Sequence, residues 1–139
     1  MRRLSDIIDN QTPLTLLLSA SVKEACRSMH ERRVGSVLVT DERGRLAGIF
    51  TARDAVCRVI AAGRQPAETP LADVMTAEPA ILSPDKTAID ALRLMWDGGF
   101  RHVPVVHHGK ILGVVSRGDC KGDERVRLDE ERHLWEHLR

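Results

Sequence analysis

The chain has 139 residues, 42% of them hydrophobic, and 21 Lys+Arg against 20 Asp+Glu give a formal charge of +1. That is enough apolar material for a core, and the charge balance argues against a broad nucleic-acid footprint. With two Phe, two Trp and no Tyr, the composition argues against a base-stacking platform for single strands as well.

Arg2 and Arg3 are not followed by an apolar run of the secretory kind, and no stretch reaches membrane-spanning length. A cytoplasmic location is the default expectation. Leu4, Ile7 and Ile8 have the spacing of a short amphipathic helical turn. Leu14 to Leu18 reads as a buried strand. Ser21-Val22-Lys23-Glu24 is a capping-box pattern that starts a helix running to about Arg32, with Val22, Ala25 and Met29 inward and Lys23, Arg27 and Glu31 solvated. Ser36 to Thr40 and Leu46 to Phe50 are strand-forming runs joined by Asp41-Glu42-Arg43-Gly44, a hairpin signal. A second helix is expected from about Ala52 to Ala62, stopped at Gly63, with Ala55, Val56, Val59 and Ile60 as one apolar stripe. Arg64 to Pro70 reads as a linker.

The order then starts again. Leu71 to Met75 answers the first amphipathic turn, Ala80 to Leu82 is a strand, and Thr87-Ala88-Ile89-Asp90 is another capping box. Ala91, Leu92, Leu94 and Met95 form the apolar side of a helix that ends at Gly98-Gly99. His102 to Val106 and Lys110 to Val115 make a second hairpin around His107-His108-Gly109. Glu124 to Arg139 reads as an amphipathic helix with Val126, Leu128, Leu134, Trp135 and Leu138, covering the domain or binding a partner. Alternating strands and helices predict a mixed α/β fold with parallel and antiparallel pairs. The expected divisions are repeat 1 over 1–65, repeat 2 over 66–123 and the C-terminal helix over 124–139. Each half is near the size at which a lone core becomes marginal, so a shared core is expected.

The duplication is closest where Gly48-Ile49-Phe50-Thr51-Ala52-Arg53-Asp54 meets its twin, Gly113-Val114-Val115-Ser116-Arg117-Gly118-Asp119. Around it, Ala25 answers Ala91, Met29 answers Met95, Val37-Leu38-Val39 answers Val103-Pro104-Val105, and Pro13 answers Pro79. In each copy an apolar strand feeds a helix start, where unpartnered backbone N–H groups and the helix dipole favour an anion such as phosphate. The aspartate follows the hydroxyl residue by three positions, about one helical turn, and its carboxylate can accept from a ribose diol. The plainer reading is local capping by Thr51 and Ser116, with Asp54 and Asp119 favouring the first turn.

These motifs resemble a tandem pair of CBS domains, the module named after cystathionine β-synthase. Phe100-Arg101-His102-Val103-Pro104-Val105 is especially similar to the family pattern, while Val34-Gly35-Ser36-Val37-Leu38-Val39 lacks the proline. The resemblance implies two β-α-β-β-α repeats packed about a pseudo-twofold axis. It also implies a non-catalytic regulatory role: binding of an adenosine-containing ligand (AMP, ADP, ATP or similar) in clefts between the repeats, with no cofactor required. Thr51 and Ser116 would hold phosphate, Asp54 and Asp119 ribose, and Arg53, Arg101 and Arg117 would be charge partners. Leu17, Val37, Ile81 and Val103 would bracket the base. His102 and Pro104, with Arg101, distinguish the second cleft from the first, which has Gly35, Ser36 and Leu38 there, so the two sites are expected to be unequal. A homodimer stacked through helices and an effector protein that reads the ligand-induced change are the expected partners.

Other signals weigh less. Arg117-Gly118-Asp119 spells an adhesion tripeptide but sits at an expected helix start. His102, His107 and His108 have no ligand-like neighbours in sequence, and His133 with His137, four apart on a helix, lack an evident third ligand. Cys26, Cys57 and Cys120 match neither a zinc ribbon nor a disulfide framework. No nucleophile is paired with a recognisable base. The alternatives to a sensor are a ligand-free interaction scaffold and a thiol-redox partner regulator.

Overall fold

Local capping chemistry sets the two helices of 11 residues, one in each repeat. Ser21 accepts a hydrogen bond from the Glu24 N–H at 3.1 Å, which satisfies one of the orphan donors of the first turn. The two helices end on left-handed residues, Arg33 (φ 55°) and Gly99 (φ 70°). A computed structural model describes residues 1–138, and the side chains of residues 1–134. In chain order the elements are α1 (Leu4–Ile7), β1 (Thr15–Leu17), α2 (Val22–Arg32), β2 (Ser36–Thr40), β3 (Leu46–Thr51), α3 (Ala52–Asp54), α4 (Leu71–Val74), β4 (Thr76–Ala77), α5 (Ala88–Gly98), β5 (His102–His107), β6 (Lys110–Ser116) and α6 (Gly122–Leu138). The expected mixed α/β architecture is present: β1 pairs parallel to β2, while β3 pairs antiparallel to β2 and to β4. β5 and β6 form a separate two-stranded sheet.

The compact units do not follow the repeat boundaries. One unit comprises Met1–Gln11, Ile81–His107 and the chain from Leu112 onward; the other comprises Thr12–Ala80 and the hairpin tip His108–Ile111. Each repeat therefore gives its leading segment, or leader (1–11 in the first repeat, 66–80 in the second), to the other repeat's unit, and it does so by the same bonds. In the first unit, Leu4 N–H donates to Lys86 O (2.8 Å), Ser5 N–H to Pro84 O (3.0 Å) and Ala88 N–H to Arg2 O (3.1 Å). In the second, Leu71 N–H donates to Ala20 O (2.9 Å), Ala72 N–H to Leu18 O (3.1 Å) and Val22 N–H to Thr69 O (2.9 Å). Leu4 and Leu71 are both fully buried. The hydrophobic clusters fall inside the units, and each draws side chains from both repeats, as the expected sharing of a core requires. Val22, Met29, Val37, Phe50, Val59 and Leu71 pack in one, and Leu4, Met95, Val103, Val105 and Val115 in the other.

This exchange explains the glycine that opens each motif. A Cβ on Gly48 would lie 2.7 Å from the Thr76 carbonyl oxygen, and one on Gly113 would lie 2.9 Å from Ile8 Cβ. The leader crosses too closely for any side chain. Over β3 the leader pairs as β4, with Thr76 opposite Ile49. Over β6 a single side chain does the equivalent work. Gln11 Nε2 donates to Val114 O at 3.0 Å, and Gln11 Oε1 accepts from Val114 N–H at 2.6 Å. A side-chain amide thus stands where a strand's peptide group would be.

Several expectations are corrected. Ala80 to Leu82 is not a strand: it is reduced to one parallel bridge, Leu82 to Val105. The cause is Pro104. In the first repeat Leu38 N–H donates to Leu14 O at 2.9 Å, but Pro104 holds the matching position and has no N–H to give. The strand expected to be buried from Leu14 to Leu18 is the three-residue β1, with Leu17 48% exposed. The helix expected over 52–62 is α-helical only through Asp54 and then π-helical over Ala55–Ile60. Of the residues expected as one stripe, Val59 is fully buried, while Val56 and Ile60 are exposed. The linker contains a 3-10 turn, Pro66–Glu68. The last helix starts at Gly122, two residues before the expected Glu124. Leu128 packs with Ala88, Leu92 and Cys120, Arg93 bonds Glu131 at 2.6 Å, and Arg132 lies 3.8 Å from the Trp96 ring centre. α6 thus covers α5, although Val126 and Leu134 stay exposed. The side chains of Trp135, His137 and Leu138 lie outside the described residues.

Candidate functional site

At the first junction β3 runs directly into α3. Asp54 Oδ2 accepts from Thr51 N–H (2.9 Å) and Thr51 Oγ1 (3.1 Å), and Thr51 Oγ1 accepts from Asp54 N–H (3.2 Å). Gly35 O accepts from Ala52 N–H at 3.0 Å, tying the junction to the segment before β2. The other carboxylate oxygen, Oδ1, faces Arg58 Nε at 3.6 Å. Arg58 also donates to the carbonyls of Val74 (3.3 Å) and Met75 (3.0 Å) at the end of α4.

The second junction has the same plan with different support. Asp119 Oδ2 accepts from Ser116 N–H (2.7 Å) and Ser116 Oγ (3.0 Å). Arg101 O accepts from Arg117 N–H at 2.9 Å, so the structure brings Arg101 beside Ser116, Arg117 and Asp119. Here β6 leads only into a 3-10 turn, Arg117–Asp119. Arginines hold that turn: Arg125 Nη2 donates to Arg117 O at 2.7 Å and Arg2 Nη2 to Asp119 O at 2.9 Å. Arg2 also binds the buried carboxylate of Glu124 at 2.6 Å. That hydrogen bond, followed by opposing desolvation and by a bond from Lys121 N–H, holds the Glu124 carboxyl below its ordinary range.

The same hydroxyl–carboxylate box occurs a third time outside the duplicated motif. At the start of α5, Asp90 Oδ2 accepts from Thr87 N–H (2.9 Å) and Oγ1 (3.1 Å). Capping alone therefore suffices to build this geometry, and the bond from Thr87 N–H is the main cause holding the Asp90 carboxyl below its usual range.

Arg53, Arg101 and Arg117 are exposed, and His102 is half-buried. Leu17 and Ile81 are each 48% exposed. Val37, Val103 and Pro104 are fully buried within the strands they belong to. A cavity of about 250 Å³ is lined by Leu82, Lys86, Asp90, Arg93, Leu94 and Asp97; a larger one lies at the hairpin turns. Neither is lined by Thr51, Asp54, Ser116 or Asp119, whose side chains are turned onto one another. Among the described residues no group of His, Cys, Asp or Glu is arranged to hold a metal ion, and no helix is long and apolar enough to cross a membrane. Sequence reasoning missed Arg58, Arg2 and Arg125. The four-residue spacing from Asp54 to Arg58 is a readable helix pair. Arg2 and Arg125 are placed by tertiary contact, and no local signal marks them.

Two copies of one unit, each closing on a strand-to-helix junction with a paired hydroxyl and carboxylate, define an internally duplicated α/β module. The CBS domain family matches residues 4–60 and 71–122, and the chain belongs to that family. It is 40% identical over 117 residues to a CBS domain-containing protein of Arabidopsis thaliana, covering 84% of this chain and 22% of that protein. The chain thus spans 21% to 22% of the length of the first curated relatives it matches. Among solved structures, a CBS-domain-containing protein of Agrobacterium tumefaciens is 32% identical with a TM-score of 0.78, covering 85% of this chain and 95% of that one. A CBS domain protein of Pyrobaculum aerophilum, complexed with AMP, shares the fold with a TM-score of 0.82 at 22% identity, covering 93% and 99% of the two chains.

Proposed function

We propose that the chain is a non-catalytic regulatory module that takes an adenosine-containing ligand at its two strand-to-helix junctions. The observation that carries this reading is the duplication of hydroxyl and carboxylate at equivalent places, Thr51 with Asp54 and Ser116 with Asp119. An ionised carboxylate has about four acceptor positions. Capping occupies Oδ2 of each; Oδ1 would take a ribose hydroxyl, at Asp54 alongside the Arg58 guanidinium 3.6 Å away. Arg53, Arg101 and Arg117 supply charge for phosphate, and Leu17 and Ile81 are the apolar side chains available to the base. The AMP held by the Pyrobaculum protein supports an adenosine nucleotide as the ligand class. In this reading the ligand shifts packing, a homodimer formed through the exposed Val56 and Ile60 surface transmits the change, and an effector protein reads it.

A second reading, a ligand-free interaction scaffold, is favoured by one observation: the Thr87–Asp90 box has the same form without the motif around it. The thiol-redox reading is weaker. Burial pushes the Cys26 thiol up, and burial with Glu124 and Asp119 nearby does the same to Cys120, so both hold less of the reactive thiolate. Thermal-shift screening of AMP, ADP, ATP and related nucleotides separates the first two readings. A ligand at about 100 times its Kd stabilises a folded protein by about 2.7 kcal/mol. A rise in Tm with an adenosine nucleotide supports the sensor, and no rise with any of them supports the scaffold.

A further inference from the structure

The two hairpin turns carry a chemistry that the strand-to-helix junctions do not use. One reads Arg43-Gly44-Arg45 and the other His108-Gly109-Lys110, so a cation or histidine, a glycine and a cation recur at matching places in the repeats. Both turns line one cavity of about 620 Å³, and the tip His108–Ile111 belongs to the same compact unit as Arg43 and Arg45. Both glycines have φ of 77°, and no atom lies within 4 Å of where a Cβ would stand, so the crests are open.

The cavity is lined by Arg43, Arg45 and Lys110 and by no carboxylate residue. Among the described residues no ion pair engages Arg43, Arg45 or Lys110. Of the two carboxylates in the turn, Asp41 is turned onto the backbone, its Oδ1 accepting from the N–H groups of Arg43 (2.9 Å) and Arg45 (3.0 Å), and Glu42 is exposed. On a chain whose formal charge is only +1, three cationic side chains converge on one cavity. Such a concentration is unfavourable by itself and is relieved by an anion. Thr15 on the same wall adds a hydroxyl donor. The volume falls within the range of small-molecule sites, roughly 300–1,000 Å³. A guanidinium grips phosphate oxygens in pairs, while the lysine ammonium acts as a point charge.

We infer that this cavity is an anion site for a small molecule carrying two or more linked phosphates, separate from the junction sites. The probe is inorganic pyrophosphate, titrated calorimetrically into the full chain at low ionic strength, with R45Q/K110Q as the disrupting variant and R45K/K110R as the conservative one. Arg45 and Lys110 are exposed, so both variants should unfold at the temperature of the parent. The expected result is binding with a Kd below about 1 mM, weakened about tenfold or more in R45Q/K110Q and restored in R45K/K110R, which corresponds to about 1.4 kcal/mol. The amide signals of Gly44 and Gly109 should move during the titration. The inference is overturned if pyrophosphate does not bind, or if R45Q/K110Q binds it as well as the parent. It is overturned equally if binding is lost in D54A/D119A and kept in R45Q/K110Q, because the anion would then belong to the junctions.

Discussion

Gln11 is the sharpest single test of how the leader is held. Replacing it with alanine removes two neutral hydrogen bonds, at 3.0 and 2.6 Å, from the backbone C=O and N–H of Val114. Each such bond contributes about 0.5–1.5 kcal/mol net, so Gln11→Ala should cost about 1–3 kcal/mol. For a chain of this size that is a fall in Tm of about 3 °C per kcal/mol, or roughly 3–9 °C. Gln11→Glu keeps the shape but turns the donor into a second acceptor facing the Val114 carbonyl. It should therefore be more damaging than alanine at neutral pH and recover partly when the new carboxyl is protonated. Urea unfolding followed by circular dichroism measures both variants. A Gln11→Ala midpoint within error of the parent, or a glutamate variant better tolerated than alanine, would refute the strand-mimic account.

Gly48→Ala drives a Cβ to 2.7 Å from the Thr76 carbonyl; the overpacking should cost about 1–3 kcal/mol in the same unfolding assay. The Arg2–Glu124 pair makes a pH prediction. Because the folded Glu124 carboxyl titrates below its ordinary value of 4.5, the stability it contributes is fully present above that pH and is lost as pH falls through the folded value. The stability gap between the parent and Glu124→Gln should hold steady at neutral pH and shrink below about pH 4.5; a gap that widens in acid would contradict it. Val56 and Ile60 are 61% and 64% exposed, so V56D/I60D should leave the Tm near the parent value while shifting a sedimenting dimer to monomer.

Much of this was readable because it is local chemistry. Ser21 and Thr87 start their helices where the capping pattern puts them, Gly99 stops α5, and Asp41 to Gly44 makes the turn between β2 and β3. The duplication itself exposed the two junctions and their hydroxyl–carboxylate pairs. What stayed hidden depends on contacts across long stretches of chain. Nothing near Leu4 announces that its N–H will bond to Lys86, and nothing near Gln11 announces Val114. Pro104 lies between these cases: its missing N–H was plain in the sequence, but its effect on the expected Ala80 to Leu82 strand followed only once the ladder of the first repeat was seen. Val37 and Val103 were placed in the right strands, yet alternation alone did not reveal that both are sealed in the core. The π-helical winding after Asp54 likewise has no composition of its own, and the sequence did not show that Val56 and Ile60 would lie exposed while Val59 is buried.

The central claim is that two of the three hydroxyl–carboxylate boxes hold a ligand while the third is only a cap. Calorimetric titration of AMP and ATP into Asp54→Ala, Asp119→Ala and Asp90→Ala tests this directly, since each substitution removes the same pair of capping bonds. The account predicts that all three lose stability, while only the Asp54 and Asp119 variants lose affinity, each to a different extent. Each lost neutral ribose contact should weaken binding by about 0.5–1.5 kcal/mol, a factor of roughly 2–12. Affinity that is unchanged in the Asp54 and Asp119 variants, or reduced equally in the Asp90 variant, would contradict it.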